Sequence, residues 1–299
     1  MKTNIPFEKY QGLGNDFILF DQYHHPDIPT PSPETISQIC NRRFGIGADG
    51  ILLFSLDKTE HPEKQVRMVY YNSDGSRAET CFNGIRCIAL HSVLTDVTKP
   101  DVPFDIITDA AVIKATVTLN PNLIQMELMQ SPEFEVIEGS FIFNKTDDDD
   151  VDSPLPFRNY EMTGTKLILG NPHFVVWSDT DDLNGLNGDV IGLGKLVETA
   201  PFFPNGTNFE MARVVGKNKI LMAVWERGSG RTLACGSGAA ATVCAGVASG
   251  KLKAGLPVEV TMLGGKLIVT VPESFDQTTE NPIIITGSAE HVFSGSIDV

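Results

Sequence analysis

Two cysteines in this chain are followed by the same kind of sequence. AETCFNGIRC, residues 78–87, sets Cys81 before Phe-Asn-Gly and a run that reads as helical. ACGSGAAATVC, residues 234–244, sets Cys235 before Gly-Ser-Gly and an apolar helical run. A helix N-terminus carries unpaired N–H groups and about half a positive charge, which stabilises a thiolate placed there. The N–H groups of Phe82 and Asn83, and of Gly236 and Ser237, then form anion sites beside each sulfur. Two such mouths aimed at one amino acid suit inversion at its Cα. One thiolate removes the proton from one face, the carboxylate becomes an enediolate held by the N–H groups, and the opposite thiol returns a proton to the other face. The scheme uses no cofactor and no metal. Reacting sulfurs about 3–3.5 Å from Cα lie roughly 6–7 Å apart, too far for a disulfide. Cys40, Cys87 and Cys244 lack this context and read as small core residues.

The elements that position the pair form a repeat. Asn72 precedes Cys81 by nine residues, and Glu226 precedes Cys235 by nine. Each connection follows a strand-like run, contains glycine and ends in Cys-Xaa-(Asn/Ser)-Gly. LGNDFILF, residues 13–20, has an echo in LGNPHFVVW, residues 169–177. The offset from Asn15 to Asn171 is 156 residues and that from Cys81 to Cys235 is 154, which predicts two copies of one unit related by a pseudo-twofold axis. The boundary is expected near residues 120–123, giving domains 1–121 and 122–285, with 286–299 as a candidate returning segment of the first. Ser32-Pro33-Glu34 marks a helix start, with Ile36, Ile39, Cys40 and Phe44 on one face. Residues 17–23, GILLF, VRMVYYN, the alternating run 112–119 and IQMELM read as strands, and 209–226 reads as a hairpin turning at Gly216–Asn218.

Composition narrows the function classes. With 299 residues, 41% hydrophobic, the chain reads as a globular protein of two domains. A formal charge of −15 argues against a nucleic-acid or anionic-membrane partner. MKTNIPFEKYQG has charges where a signal peptide needs an apolar core, and no apolar run reaches about 18 residues, so neither targeting nor spanning is expected. Five cysteines without a regular framework suggest a reducing, cytoplasmic setting. TDDDDVDSP, residues 146–154, lacks the glycine and distal glutamate of a calcium loop and reads as a solvated surface loop. GIGADG, residues 45–50, follows a helix and opens a strand, the reverse of a dinucleotide fingerprint.

Six blocks in order, GLGNDF (12–17), GIGADG (45–50), NSDGSRAETCFNGIRC (72–87), GNPH (170–173), GTNFE (206–210) and ERGSGRTLACGSGA (226–239), resemble the diaminopimelate epimerase family. The resemblance implies an α/β (α+β) fold of two pseudo-symmetric domains. Each is a mixed, curled β-sheet wrapped around a central apolar helix, with the active site in the interdomain cleft. It implies cofactor-independent epimerisation of LL-diaminopimelate to the meso isomer, for lysine and peptidoglycan precursor synthesis. Cys81 and Cys235 match the acid/base pair. Phe82, Asn83, Gly236 and Ser237 match positions whose N–H groups hold the reacting carboxylate. Asn15, Asn72, Asn171, Asn208, Glu226 and Arg227 match substrate-holding residues, with Arg227 gripping the distal carboxylate. His173 and Glu226 match residues that tune the thiols. Asp49 and Gly50 lie where some members place a substrate contact. The remaining histidines, His24, His25, His61, His91 and His291, read as structural or solvated. The implied partner is a small dicarboxylate diamino acid, with a homodimer as the candidate assembly.

One departure bears on chemistry. The family places glycine after the first cysteine, where this chain has Phe82. The N–H is kept, but a position needing positive φ would strain phenylalanine, and a ring turned inward would narrow the pocket. Thr80 and Arg231 also differ from the common family residues. The rival readings are a cofactor-independent racemase of another amino acid, and a thiol-redox or binding protein.

Overall fold

The computed structural model describes residues 4–57, 65–78, 81–120, 123–129, 139–144, 159–273 and 281–298. The acidic run 146–154 lies outside these residues, as do His61 and Thr80. The chain divides into two compact units, Met1–Leu128 with Thr286–Val299, and Met129–Ile285. Ile124–Leu128, which the sequence reading assigned to the second domain, pairs antiparallel with Val112–Val117 and clusters with the first unit.

In the first unit β1 (Asn4–Gly12) and β2 (Asn15–Asp21) form a hairpin. Helix α1 (Pro33–Cys40) leads to β3 (Gly50–Leu56), which is parallel to β2 and antiparallel to β4 (Val66–Asn72). A two-residue strand, β5 (Arg77–Ala78), folds back on β4 and delivers the chain to α2 (Phe82–Leu94). β6 (Phe104–Ile107), β7 (Val112–Val117) and β8 (Ile124–Leu128) then extend the sheet from β4. The C-terminal strand Glu290–Asp298 pairs antiparallel with β1. The sheet curls around α2, which packs on β1, β3, β4, β7, β8 and the C-terminal strand.

The second unit repeats this order. β9 (Gly139–Asn144), β10 (Asn159–Leu169) and β11 (Asn171–Trp177) are antiparallel neighbours. Helix α3 (Leu183–Glu198) leads to β12 (Asn208–Gly216), parallel to β11 and antiparallel to β13 (Lys219–Glu226). β14 (Gly230–Arg231) folds back on β13 and delivers the chain to α4 (Gly236–Ala248), and β15 (Val258–Met262) and β16 (Gly265–Thr270) extend the sheet. Parallel and antiparallel pairings follow one pattern in both units, as the repeat predicted.

Why these helices lie at the centre is legible in their side chains. α4 reads GSGAAATVCAGVA, apolar or small on every face, and a helix without a polar stripe is stable only when surrounded. α2 is buried from Asn83 to Ser92. The outer helices are amphipathic instead: α1 turns Ile36, Ile39 and Cys40 onto Ile18, Phe20, Ile51 and Leu53. α3 lays Leu186, Val190 and Val197 against Phe174, Phe209 and Met211. Cys40, Cys87 and Cys244 are all buried, and burial pushes their thiols up, to about 11 for Cys40.

One expected contact is absent from its helix. α1 begins as expected, with Ser32 Oγ accepting from Thr35 N at 3.3 Å, but ends at Cys40. Asn41 Oδ1 accepts from the N–H groups of Arg43 and Phe44 at 2.9 and 3.0 Å, which turns the chain and leaves Phe44 91% exposed. Among the described residues no helix is long and apolar enough to cross a membrane.

Candidate active site

Both cysteines are N-caps with nearly the same backbone. Cys81 has φ −142° and ψ 108°, Cys235 has φ −130° and ψ 119°, and each opens a 13-residue helix. Ile85 N donates to the Cys81 carbonyl at 2.9 Å and Ala239 N to that of Cys235 at 3.0 Å, so the three N–H groups before each have no acceptor within the helix. Phe82 is the first residue of α2 and has no positive φ. Gly236, its counterpart in α4, has none either. The position therefore needs no glycine for its backbone, and Phe82 is accommodated without strain, its side chain half-buried.

In the first unit a tight turn sets Asn15 beside Cys81. Leu13 and Gly14 have φ of 56° and 82°, the two-residue hairpin geometry whose twist matches the strands. Asn15 Oδ1 accepts from Asn83 Nδ2 at 3.1 Å and lies 3.8 Å from Cys81 Sγ, within reach of the thiol proton. Asn15 Nδ2 donates to Asp49 Oδ2 at 2.8 Å. Behind Asp49, Arg42 bridges to it at 2.7 Å and to Asp16 at 2.5 Å, and Lys9 donates to Asp16 at 2.6 Å. Burial raises the Asp16 carboxyl, but the hydrogen bonds from Arg42 and Lys9 outweigh it and bring it down to about 2. Asn72 ends β4 opposite Gly50, and its Nδ2 donates to Ser76 Oγ at 3.0 Å. Asn15, Cys81 and Asn83 are thus in direct contact, with Asp49 one bond further out. Gly75, in the connection from Asn72 to Cys81, has φ +86° and packs so closely on Pro33 that a Cβ would lie 2.5 Å from its carbonyl oxygen.

The second unit gathers a different set. Cys235, 5% exposed, accepts from Gly238 N at 3.3 Å and lies 3.4 Å from Ser237 Oγ. His173 is fully buried between Asn171 Oδ1 on Nε2 and Glu210 Oε1 on Nδ1, each at 2.7 Å. Glu210 Oε2 is buried without a hydrogen-bond partner. A Cβ at Gly238 would lie 2.8 Å from Glu210 Oε1, so glycine here admits the carboxylate to the helix mouth. The sequence reading did not single out Glu210, although it ends the GTNFE block. An acid between Phe209 and Met211, on the same strand face as Asn208, was the available signal.

Glu226 ends β13 and accepts from Thr232 Oγ1 at 2.5 Å. Burial raises the carboxyls of both Glu210 and Glu226. Burial, then Glu226 and Glu210, push the Cys235 thiol well above its ordinary range, so it is held as the neutral acid. Replacing Glu226 with glutamine removes the stronger of the two repelling charges. The pH midpoint for alkylation of Cys235 by iodoacetamide then falls by about one unit; peptide-level mass spectrometry reads it, and a rise contradicts this electrostatic assignment.

Asn208 acts as a brace: Oδ1 accepts from Arg227 N at 2.8 Å and Nδ2 donates to the Pro172 carbonyl at 3.2 Å. Glu198 holds the same turn from α3, accepting from Trp225 Nε1 and from Gly228 N, each at 2.9 Å. With its backbone pinned, Arg227 stays exposed, and among the described residues its guanidinium makes one bond, to the Asn205 carbonyl at 3.1 Å. Most of the planar fork is left exposed. Among the described residues no group of three or more His, Cys, Asp or Glu side chains is arranged for a metal ion.

Known proteins share this sequence and fold. A family model described as diaminopimelate epimerase matches residues 7–130 and 166–292. A diaminopimelate epimerase of Synechococcus sp. (strain JA-3-3Ab) is 38% identical over 297 residues, which cover 99% of each chain. One of Elusimicrobium minutum (strain Pei191) is 37% identical over 292 residues, 97% of this chain and 98% of the relative. The solved structure of a hydroxyproline epimerase from Agrobacterium vitis superposes with a TM-score of 0.70 over 99% of this chain and 93% of that one. At 12% identity, that likeness is one of fold: two α/β domains with mixed sheets and helices.

Proposed function

This chain belongs to the diaminopimelate epimerase family of isomerases, and on that premise we propose that it interconverts LL- and meso-diaminopimelate without a cofactor, using Cys81 and Cys235 as acid and base. The observation that carries the proposal is the duplicated cap. Two helices of equal length each present a sulfur and first-turn N–H groups that have no acceptor within the helix, with the same backbone conformation at the cysteine. A thiolate on one face of the substrate takes the Cα proton. The electron pair moves into the carboxylate, giving an enediolate whose charge the helix-mouth N–H groups stabilise. The thiol on the other face gives up its proton to Cα, the configuration inverts, and the two sulfurs have exchanged protonation states. The exposed fork of Arg227 suits the distal carboxylate. Asn15, Asn72, Asn171 and the amides around them suit the remaining polar atoms of a diamino acid. The product serves lysine and cell-wall precursor synthesis.

Exchange in heavy water tests the proposal. The protein, with no pyridoxal phosphate added, is expected to incorporate deuterium at Cα of diaminopimelate, read by mass spectrometry. The half-buried Phe82 ring beside Cys81 favours a second reading, a narrower pocket for another amino acid. Exchange with another amino acid but not with diaminopimelate would establish that reading. Exchange with neither would refute both.

A further inference from the structure

Arg86, in the second turn of α2, is fully buried, with 0% of its surface exposed. Its side chain leans back over the first turn, as helix geometry directs. Nη1 donates to the Phe82 carbonyl at 3.4 Å, Nη2 to Asn83 Oδ1 at 2.7 Å and Nε to the Ser288 carbonyl at 2.9 Å. Every one of these acceptors is neutral. Gly12 leaves the guanidinium its room, since a Cβ there would lie 3.2 Å from Nη2. Among the described residues no carboxylate pairs with Arg86; the ionisable groups it senses are the thiols Cys87 and Cys81.

Other charged groups near this mouth have polar partners of their own. Asp16 of β2 and Asp49 before β3 are bonded to Lys9 of β1 and Arg42 after α1, two anions against two cations. Glu8 of β1 is bonded to His291 of the C-terminal strand, and Asp21 of β2 to His91 near the far end of α2. Cys87, on the same helix, is kept protonated by burial. Arg86 is bonded to neutral acceptors only among the described residues, and a buried cation without a counter-ion is strongly unfavourable. Its chain of contacts leads outward: Arg86 holds Asn83 Oδ1, Asn83 Nδ2 donates to Asn15 Oδ1, and that oxygen lies 3.8 Å from Cys81 Sγ. The equivalent position in α4, 154 residues on, is Ala240, and the charges around Cys235 are carboxylates.

The structure assigns Arg86 as a positioning residue whose buried, unneutralised guanidinium stabilises negative charge at the α2 mouth, on the Cys81 sulfur and on a bound carboxylate, so that Cys81 ionises before Cys235. This rests on the cysteine-pair reading above. The resting state is then a thiolate at Cys81 and a thiol at Cys235, and the forward and reverse reactions begin from unequal sulfurs.

Alkylation of the substrate-free, full-length protein by iodoacetamide across a pH series, resolved by cysteine with mass spectrometry, tests it. In the unsubstituted chain Cys81 is expected to react at lower pH than Cys235. Arg86→Met raises the Cys81 midpoint by about one pH unit and leaves that of Cys235 in place. Arg86→Lys, which keeps the charge, recovers most of the shift. Cys235 reacting at the lower pH in the unsubstituted chain overturns the proposal, and that measurement needs no variant. An unmoved Cys81 midpoint in folded Arg86→Met overturns it as well. Because no substrate is present, a failed deuterium exchange would refute the substrate reading while leaving this order of ionisation intact.

Discussion

Cys81→Ala and Cys235→Ala each lose inversion of diaminopimelate by at least about 10³-fold in kcat, the upper part of the range for removing a positioned acid or base. The loss is expected from both variants because each sulfur serves one face, and a single thiol that removes a proton cannot deliver one to the opposite side. Chromatography of the LL and meso isomers measures the rate. The variants are expected to fold. Cys235 is buried, but alanine fits its site at a cost of about 1 kcal/mol or little more, and Cys81 is only half-buried. Far-UV circular dichroism checks this. A variant of either cysteine that keeps near-native turnover removes the two-thiol mechanism altogether. Serine in place of either cysteine is a stricter probe. It keeps the size and the hydrogen bond to Gly238 N at position 235, but its proton is far less readily lost, so activity stays low.

Arg227→Ala reduces kcat/KM for diaminopimelate by about 10²–10³-fold, mostly through KM. The turn that carries it is held by Asn208 and Glu198 through backbone N–H groups, so the fold does not depend on the guanidinium. Truncation therefore removes binding rather than structure. Arg227→Lys falls between the two, since an ammonium keeps the charge and loses the two-pronged geometry. Steady-state kinetics on both variants read the result, and an unchanged KM in Arg227→Ala would assign the distal carboxylate to other residues.

Several features were readable from local sequence because they depend on neighbours within one turn or one strand. The Ser32-Pro33 helix start, the alternation of β7 and β8, the hairpin at Gly216–Asn218 and the two cysteine caps are of this kind. The duplication was legible too, since equal spacing between like motifs implies like connections, and β4–β5–α2 and β13–β14–α4 share one layout. Phe44 was misplaced because the signal that ends α1 is a side-chain bond from Asn41, which competes with an otherwise helical pattern.

Sequence by itself determined the two sulfur-bearing helix mouths, the strands that lead to them and the residues with the right chemistry nearby. Tertiary structure alone decided their charge. Glu210 reaches Cys235 because β12 lies beside α4 and Gly238 leaves a gap. Arg86 has no carboxylate partner among the described residues, its third acceptor being a carbonyl 202 positions away, at Ser288. Phe82 is unstrained because its backbone is helical. Electrostatic energy depends on burial and on distance in space, and residues far apart along the chain set both.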